Sequence, residues 1–401
     1  MKYMGSKSAL LRGTLGEVLL EQCESSDRFI DLFAGAGSVS HFVAENAEIP
    51  VISSDLQLYS RYLVGAITER DDAIVASQML DDWITPVVDA LSCDAVYGDL
   101  QEIDPSKNLT KTTVLKARRE CSKHDSDGFI VKHYGGHYFS PRQAYVLDRL
   151  YSALPVEGIN RTLCMAVLIG VSSKCAAAPG HTAQPFQPTP NLLPYIRTAW
   201  IRDVIDECKR SVIDMAPRHA NVAGQAYVSD AQSLVSKLGP KDLVFCDPPY
   251  SAVQYSRFYH VLEGIARGGW ESVTGKGRAP RIELRSSSDF SMTSQARLAM
   301  TDLLDQLFEK ACRVIVTFPE AQASNGLSGK EIVDLAKDNW NVTELSVDST
   351  HSTMGGSSAE GGRGGRRKLQ ESVLILEPKS LLTPIDDFSD PIDLDVALLN
   401  S

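Results

Sequence analysis

Apolar residues gather in short continuous runs over the first hundred positions and again beyond position 225, with a more polar stretch between them. The run Arg28 to Phe33 reads as a short strand, a glycine turn follows, and a helix is expected from about Ser38. Pro50 to Ser54 reads as a second strand ending at Asp55, followed by helical patterns that Pro86 interrupts. After the polar stretch, strands are expected at Tyr227 to Asp230, Leu243 to Cys246, Arg313 to Phe318 and Glu371 to Leu376. An amphipathic helix is expected over Gln295 to Lys310 and another helix over Gly329 to Asn339. Alternation of this kind predicts an α/β fold with a parallel sheet covered by helices.

The stretch from about Gln101 to Gly224 differs. It is polar, basic and aromatic around Tyr134 to Phe139, helix-like over Pro141 to Ala153 and Arg161 to Ser172, and Pro-rich from Ala178 to Pro194. No internal repeat is visible, and Gly355 to Arg367 is of low complexity. The economical organisation is one discontinuous sheet domain, residues 1–100 and 225–380, interrupted by an inserted domain, residues 101–224. An acidic tail of disordered character, residues 381–401, completes it.

At 401 residues with 43% hydrophobic content, the chain can bury a sizeable core. No apolar run reaches membrane-spanning length, and the N-terminus has no signal-peptide pattern. The eight cysteines are scattered without CxxC spacing, which indicates neither a zinc site nor a disulfide framework and suits a reducing cytoplasm. The net charge of −11 argues against a nucleic-acid partner, yet it is unevenly spread. Asp386 to Asp395 is acidic, whereas Lys111, Lys116, Arg118, Arg119 and Lys123 form one basic group and Arg363, Arg366, Arg367 and Lys368 another. Such local patches are the candidates for phosphate contact.

The most informative residues are Asp247-Pro248-Pro249-Tyr250, which follow the apolar run Leu243 to Cys246. Proline fixes φ and has no N–H, so a stiff corner with free carbonyl acceptors is expected at a strand end. A carboxylate and a carbonyl there can hold a planar amino group while the Tyr ring stacks on its heterocycle. Upstream, Asp31-Leu32-Phe33-Ala34-Gly35-Ala36-Gly37-Ser38 places two glycines where a strand turns into a helix, which lets backbone N–H groups approach a ligand. Asp55 ends the next strand, where an acid can accept both hydroxyls of a ribose. A tight βα turn with a solvated Asp would carry the same residues. The turn has no Gly-Lys-Ser/Thr and no third glycine at GxGxxG spacing, so a nucleoside without pyrophosphate, such as S-adenosylmethionine, fits it better than a dinucleotide.

Taken in order, Lys2 to Lys7, Asp31 to Gly37, Asp230 and Asp247 to Tyr250 resemble the D12 class of DNA adenine-N6 methyltransferases, the family that includes the Dam enzymes. Tyr134 to Ser140, Gln143-Ala144, Gln254-Tyr255 and Tyr259 to Glu263 resemble a subset associated with restriction-modification systems. The resemblance implies a Rossmann-like S-adenosylmethionine-dependent sheet with a mainly helical inserted target-recognition domain. It also implies a prokaryotic or phage protein of the cytoplasm that methylates adenine N6 in double-stranded DNA, with a restriction or defence component as a further partner. Tyr3 and Lys7 would line the cofactor pocket. Phe33, Gly35 and Gly37 would lie under the methionine moiety, Asp31 would belong to the same cofactor-binding set, Asp55 would hold the ribose and Asp230 the cofactor's adenine amino group. Asp247 and the Pro248 carbonyl would hold the target N6, and Tyr250 would stack on the flipped base. No metal is required, because the sulfonium is already an activated donor. Asp230 as a helix N-cap is the plain alternative for that residue.

The basic stretch of the insert, with His133 and His137, is the candidate DNA contact, although a solvated helix face would have the same composition. The second basic group follows a Gly-rich hinge and suits a loop that closes on DNA; a flexible linker with incidental charge is the alternative. Competing functions are methylation of an RNA base amine or a glutamine amide, a catalytically silent DNA-binding module, and a nucleotide-dependent dehydrogenase. The last does not explain Asp247 to Tyr250.

Overall fold

A computed structural model describes residues 7–102, 109–124, 128–352 and 366–379. Tyr3, Arg363 and the acidic tail lie outside these residues. Seven strands form one mixed sheet: β1 (Arg28–Asp31), β2 (Val51–Asp55), β3 (Gln225–Val228), β4 (Asp242–Cys246), β5 (Arg313–Pro319), β6 (Trp340–Ser352) and β7 (Arg366–Pro378). Their order is β3-β2-β1-β4-β5-β7-β6. The first five run parallel, while β7 is antiparallel to both β5 and β6.

The central strands read as unbroken apolar runs because both of their faces are covered. Ile30, Val244, Val314 and Val316 pack with the helices Ala231–Val235, Ala296–Glu309 and Gly329–Ala336. Phe29, Leu243, Phe245 and Ile315 point the other way, onto the helices Thr14–Cys23 and Ser38–Asn46. Successive residues alternate between these two cores, as the pleat demands.

The expected strands and helices are present, with ends shifted by a few residues. One element departs from the expectation. β6 has no counterpart in the hydrophobic pattern, because Asn341, Thr343, Glu344, Ser346 and Asp348 face solvent at the sheet edge. Its partner β7 begins at Arg366, well before the apolar run at Glu371. Arg366 and Arg367 therefore pair with Ser352 and His351 inside a strand, a correction to the hinge loop expected there.

The segment after β2 is helical: Ala95–Glu102, Lys111–Lys123, Phe129–Tyr134, Pro141–Ser152, Gly158–Cys175, Leu193–Trp200 and Val204–Met215. Ser140 caps Pro141–Ser152 by accepting from the Gln143 N–H at 3.2 Å, and Gln143 answers through its own amide oxygen. Pro86 stands in the first turn of Thr85–Ser92, where its missing N–H is harmless. Leu147, Leu163, Leu168 and Tyr138 share one apolar core with Tyr59 and Leu63 of the helix Leu58–Thr68 and with Phe258 and Leu262 of the helix Tyr255–Arg267. The helical segment is thereby anchored to two helices that flank the carboxyl edge of the sheet. No helix among the described residues is long and apolar enough to cross a membrane.

Candidate active site

A cleft of about 290 Å³ opens where the carboxyl ends of β1, β2 and β4 meet, and Asp31, Gly35, Asp55, Asp230, Asp247 and Tyr250 all line it. This edge is where an open α/β sheet leaves room for ligands, because the chain departs from adjacent strands in different directions.

The glycine turn after β1 is held from β2. Asp55 Oδ2 accepts from the Gly35 N–H at 2.9 Å, and Oδ1 accepts from the Gln57 N–H at 2.9 Å. Gly35 and Gly37 have φ values of 53° and 79°, in the left-handed region. At Gly37 a Cβ would also stand 2.9 Å from His41 Nε2 and 3.1 Å from Val64 Cγ2. Gly37→Val is therefore expected to cost about 1–3 kcal/mol of backbone strain and to reshape the turn; denaturant melts and cofactor calorimetry check this.

Asp31 is buried, and its carboxylate accepts from Ser40 Oγ at 2.6 Å and from the Phe33 N–H at 3.3 Å. Burial pushes Asp31 up to about 7 and Asp55 up to about 6, against the hydrogen bonds that favour ionisation. Phe33 sets its ring edge-on to Phe290, with centroids 5.0 Å apart, across the cleft. Asp230 does cap the helix Ala231–Val235, accepting from the Ser233 N–H at 2.9 Å and from Ser233 Oγ at 2.8 Å. It remains exposed on the cleft rim, so cap and lining residue are one and the same.

The proline corner follows β4. Asp247 Oδ1 lies 3.0 Å from Lys7 Nζ and accepts from Thr317 Oγ1 at 2.9 Å. Lys7 Nζ also meets Glu371 Oε1 at 3.1 Å. Lys7 is 4% exposed and Glu371 is fully buried, so this is an internal ion cluster. Burial opposes the Lys7 charge, but Asp247 and Glu371 outweigh it and hold its pKa above the ordinary value. Burial raises Asp247; Lys7 pulls it down and Glu371 pushes it up. The Tyr250 ring rests edge-on against buried Phe318 at 6.4 Å. Phe318 is thus a support for the ring.

Three side chains support the corner; Asn325 and Ser256 carry no recognisable sequence signal, whereas Gln254 belongs to a stretch that the family resemblance already picked out. Asn325 Nδ2 donates to Pro249 O at 2.9 Å and to Phe290 O at 3.0 Å. The Gln254 side-chain amide accepts from the Ser288 N–H at 2.8 Å and donates to Ser288 O at 2.9 Å, while Ser256 Oγ donates to Ser286 O at 2.6 Å. These bonds fix the segment Ser286 to Ser291 as the wall facing the glycine turn. Glu263 accepts from the Leu58 and Tyr59 N–H groups at 3.2 and 3.0 Å, anchoring the helix that starts just past Asp55.

The basic residues divide. Lys111, Lys116, Arg119 and Lys123 are exposed on the helix Lys111–Lys123, and Lys116, Arg119 and Lys123 share one face at i, i+3 and i+7 spacing. Arg118 turns inward, donating to Gly136 O at 3.0 Å and to Gln187 Oε1 at 3.3 Å. His133 is buried and His137 half-buried, and desolvation lowers both, His137 to about 3. Arg118, His133 and His137 are therefore not the phosphate contacts expected of them, because folding spends them inside the insert.

The cleft chemistry tests the expected cofactor. Asp31, Asp55, Asp230, Asp247 and Asp289 line it, and the one lining cation among the described residues, Lys7, is already shared by two carboxylates. A pyrophosphate would meet repulsion there, whereas a cationic sulfonium with a polar ribose fits.

The sequence model of the D12 class N6 adenine-specific DNA methyltransferase family matches residues 3–87 and 209–320, leaving out most of the helical insert. Type II methyltransferase M.FokI of Planomicrobium okeanokoites is 24% identical over 71% of this chain and 40% of its own length. Modification methylase LlaI of Lactococcus lactis subsp. lactis is 24% identical over 96% of this chain and 56% of its own. Modification methylase StsI of Streptococcus sanguinis is 23% identical over 77% and 42%. The chain spans about half the length of these relatives.

Proposed function

Because the chain belongs to the D12 class of N6 adenine-specific DNA methyltransferases, we propose that it methylates N6 of an adenine flipped out of double-stranded DNA at a specific sequence. The observation that carries this reading is the rigid Asp247–Tyr250 corner opening on the same acidic cleft as the glycine turn and Asp55. The names of its relatives, modification methylases, support a place beside a restriction or defence nuclease.

When bound, S-adenosylmethionine supplies a methyl group already activated by its sulfonium. Phe33 and the Gly35–Gly37 turn form its floor, Asp55 and Asp230 offer acceptors to its ribose and adenine, and Asp31 and Lys7 set the polarity beneath it. Tyr3 completes this set as an expectation from the family motif. Asp247 and the Pro248 carbonyl accept from the two N6 protons. That grip favours a pyramidal nitrogen, concentrates its lone pair and stabilises the positive charge that develops there. The surplus proton leaves to water. Tyr250 stacking offsets part of the few kcal/mol that unstacking the base costs.

In this reading residues 1–100 and 225–380 catalyse, residues 101–224 recognise the target, and the protein works in the cytoplasm. The exposed basic face of Lys111–Lys123 is the phosphate contact, with Arg363, Arg366 and Arg367 as a second. Replacing Lys116, Arg119 and Lys123 by Gln should weaken DNA binding and reduce its salt slope by about 0.9 for each phosphate that is no longer neutralised. Fluorescence titrations from low to high salt measure this; an unchanged slope removes the helix from the interface. The central test incubates the protein with labelled S-adenosylmethionine and separate DNA, RNA and protein acceptors. Label in DNA, recovered as N6-methyladenine, is expected. Label in RNA or protein alone defeats the reading.

A further inference from the structure

We propose that Glu371 is a positioning residue for the methyl-transfer site: it shares the Lys7 ammonium with Asp247 and so eases the pull of that ammonium on the carboxylate that grips the target amine. The inference rests on the functional reading above. Glu371 stands on β7, beyond the residues that the family model matches, and enters the site because β7 pairs with β5, where Glu371 lies opposite Pro319, two residues from Thr317.

The geometry is specific. Lys7 Nζ sits 3.0 Å from Asp247 Oδ1 and 3.1 Å from Glu371 Oε1, and Thr317 Oγ1 donates to the same Asp247 oxygen. Both donors thus engage Oδ1, which leaves Oδ2 as the acceptor for an incoming amine. A buried lysine paired with a single carboxylate would be neutral overall and would draw density from Asp247. Dividing the ammonium between two carboxylates leaves Asp247 a stronger acceptor. A stronger carboxylate acceptor complements both a sulfonium and a nitrogen that becomes cationic. A solvated glutamate could not do this, since water would screen it; Glu371 is fully buried.

Among the described residues, the groups facing Asp247 are Lys7 from the N-terminal 3₁₀ turn, Glu371 from β7, Thr317 from β5, Asp31 from β1 and the Tyr250 and Tyr255 hydroxyls. Among them Lys7 lowers the Asp247 pKa and Glu371 raises it. Glu371→Gln should therefore reduce kcat about tenfold with little change in the KM for DNA, and move the acid limb of the rate profile to lower pH. The double variant K7M/E371Q, which carries no unpaired ammonium, should move that limb above the wild-type position. A residue that only packs would shift neither limb.

The test combines methylation rates from pH 5 to 9 with calorimetry of S-adenosylmethionine and its uncharged thioether product, using wild type, E371Q and K7M/E371Q. E371Q should lose severalfold in affinity for the sulfonium and little for the thioether. Calorimetry needs no turnover, so an inactive wild type sinks the functional reading while the affinity ratio still judges Glu371. An acid limb and an affinity ratio both unchanged in E371Q overturn the proposal. So does a loss confined to KM. If E371Q does not fold, K7M and K7M/E371Q decide between them: removing Glu371 from the K7M background should lower the limb, and an unchanged limb overturns the proposal.

Discussion

Asp247→Ala should lose methyl transfer by about 10³-fold, the scale of removing one preorganised polar group from a reacting centre. The variant should keep its fold and its affinity for the cofactor. Lys7 retains Glu371 at 3.1 Å, so no unpaired ammonium is left in the interior. The prolines still set the corner, and Asn325 still holds the Pro249 carbonyl. Asp247→Asn separates charge from shape. Its amide oxygen can keep the Thr317 hydrogen bond, while its NH₂ presents protons to an amine that needs an acceptor. Both variants should bind S-adenosylmethionine by calorimetry and shift DNA in gels, yet transfer almost no label. Near-normal turnover in either would remove Asp247 from the mechanism.

Lys7→Met should be the most damaging change to stability, by about 3–5 kcal/mol at neutral pH, because it leaves two buried carboxylates without their shared cation. The pH dependence has a definite sign. Without Lys7, Asp247 has a folded-state pKa raised still further above its unfolded value. The native state then holds more protons than the unfolded one, so stability falls as pH rises from about 4, the unfolded carboxyl range, towards the raised value. Urea unfolding at pH 5 and pH 8 should show a deficit that is larger at pH 8. A deficit below about 1 kcal/mol at pH 8, or one independent of pH, would mean that the cluster is far better solvated than its burial indicates.

These residues also show what a linear reading can and cannot reach. β1, β2, β4 and β5 were legible because strands covered on both faces must be apolar throughout, and that demand is written in consecutive residues. Asp31, Gly35, Asp55, Asp247 and Tyr250 were legible for a related reason: each lies at or just beyond the carboxyl end of one of these strands, and the sheet brings those ends together automatically. β6 was not, since an edge strand satisfies half its surface with water and so carries Thr343, Glu344 and Ser346 like a loop. Arg118 looked like its neighbours Lys116 and Arg119, and only packing against Gly136 and Gln187 separates them.

The chain order of apolar runs and strand-end acids thus settled the class of fold and the edge that carries the cleft, because both depend on local periodicity and adjacency. The charge state of that cleft came from elsewhere. Lys7 and Glu371 stand 364 residues apart, and their ion pair exists because an antiparallel strand is laid beside β5. Coulomb interactions act through space and not along the backbone, so no reading of spacing could have joined them.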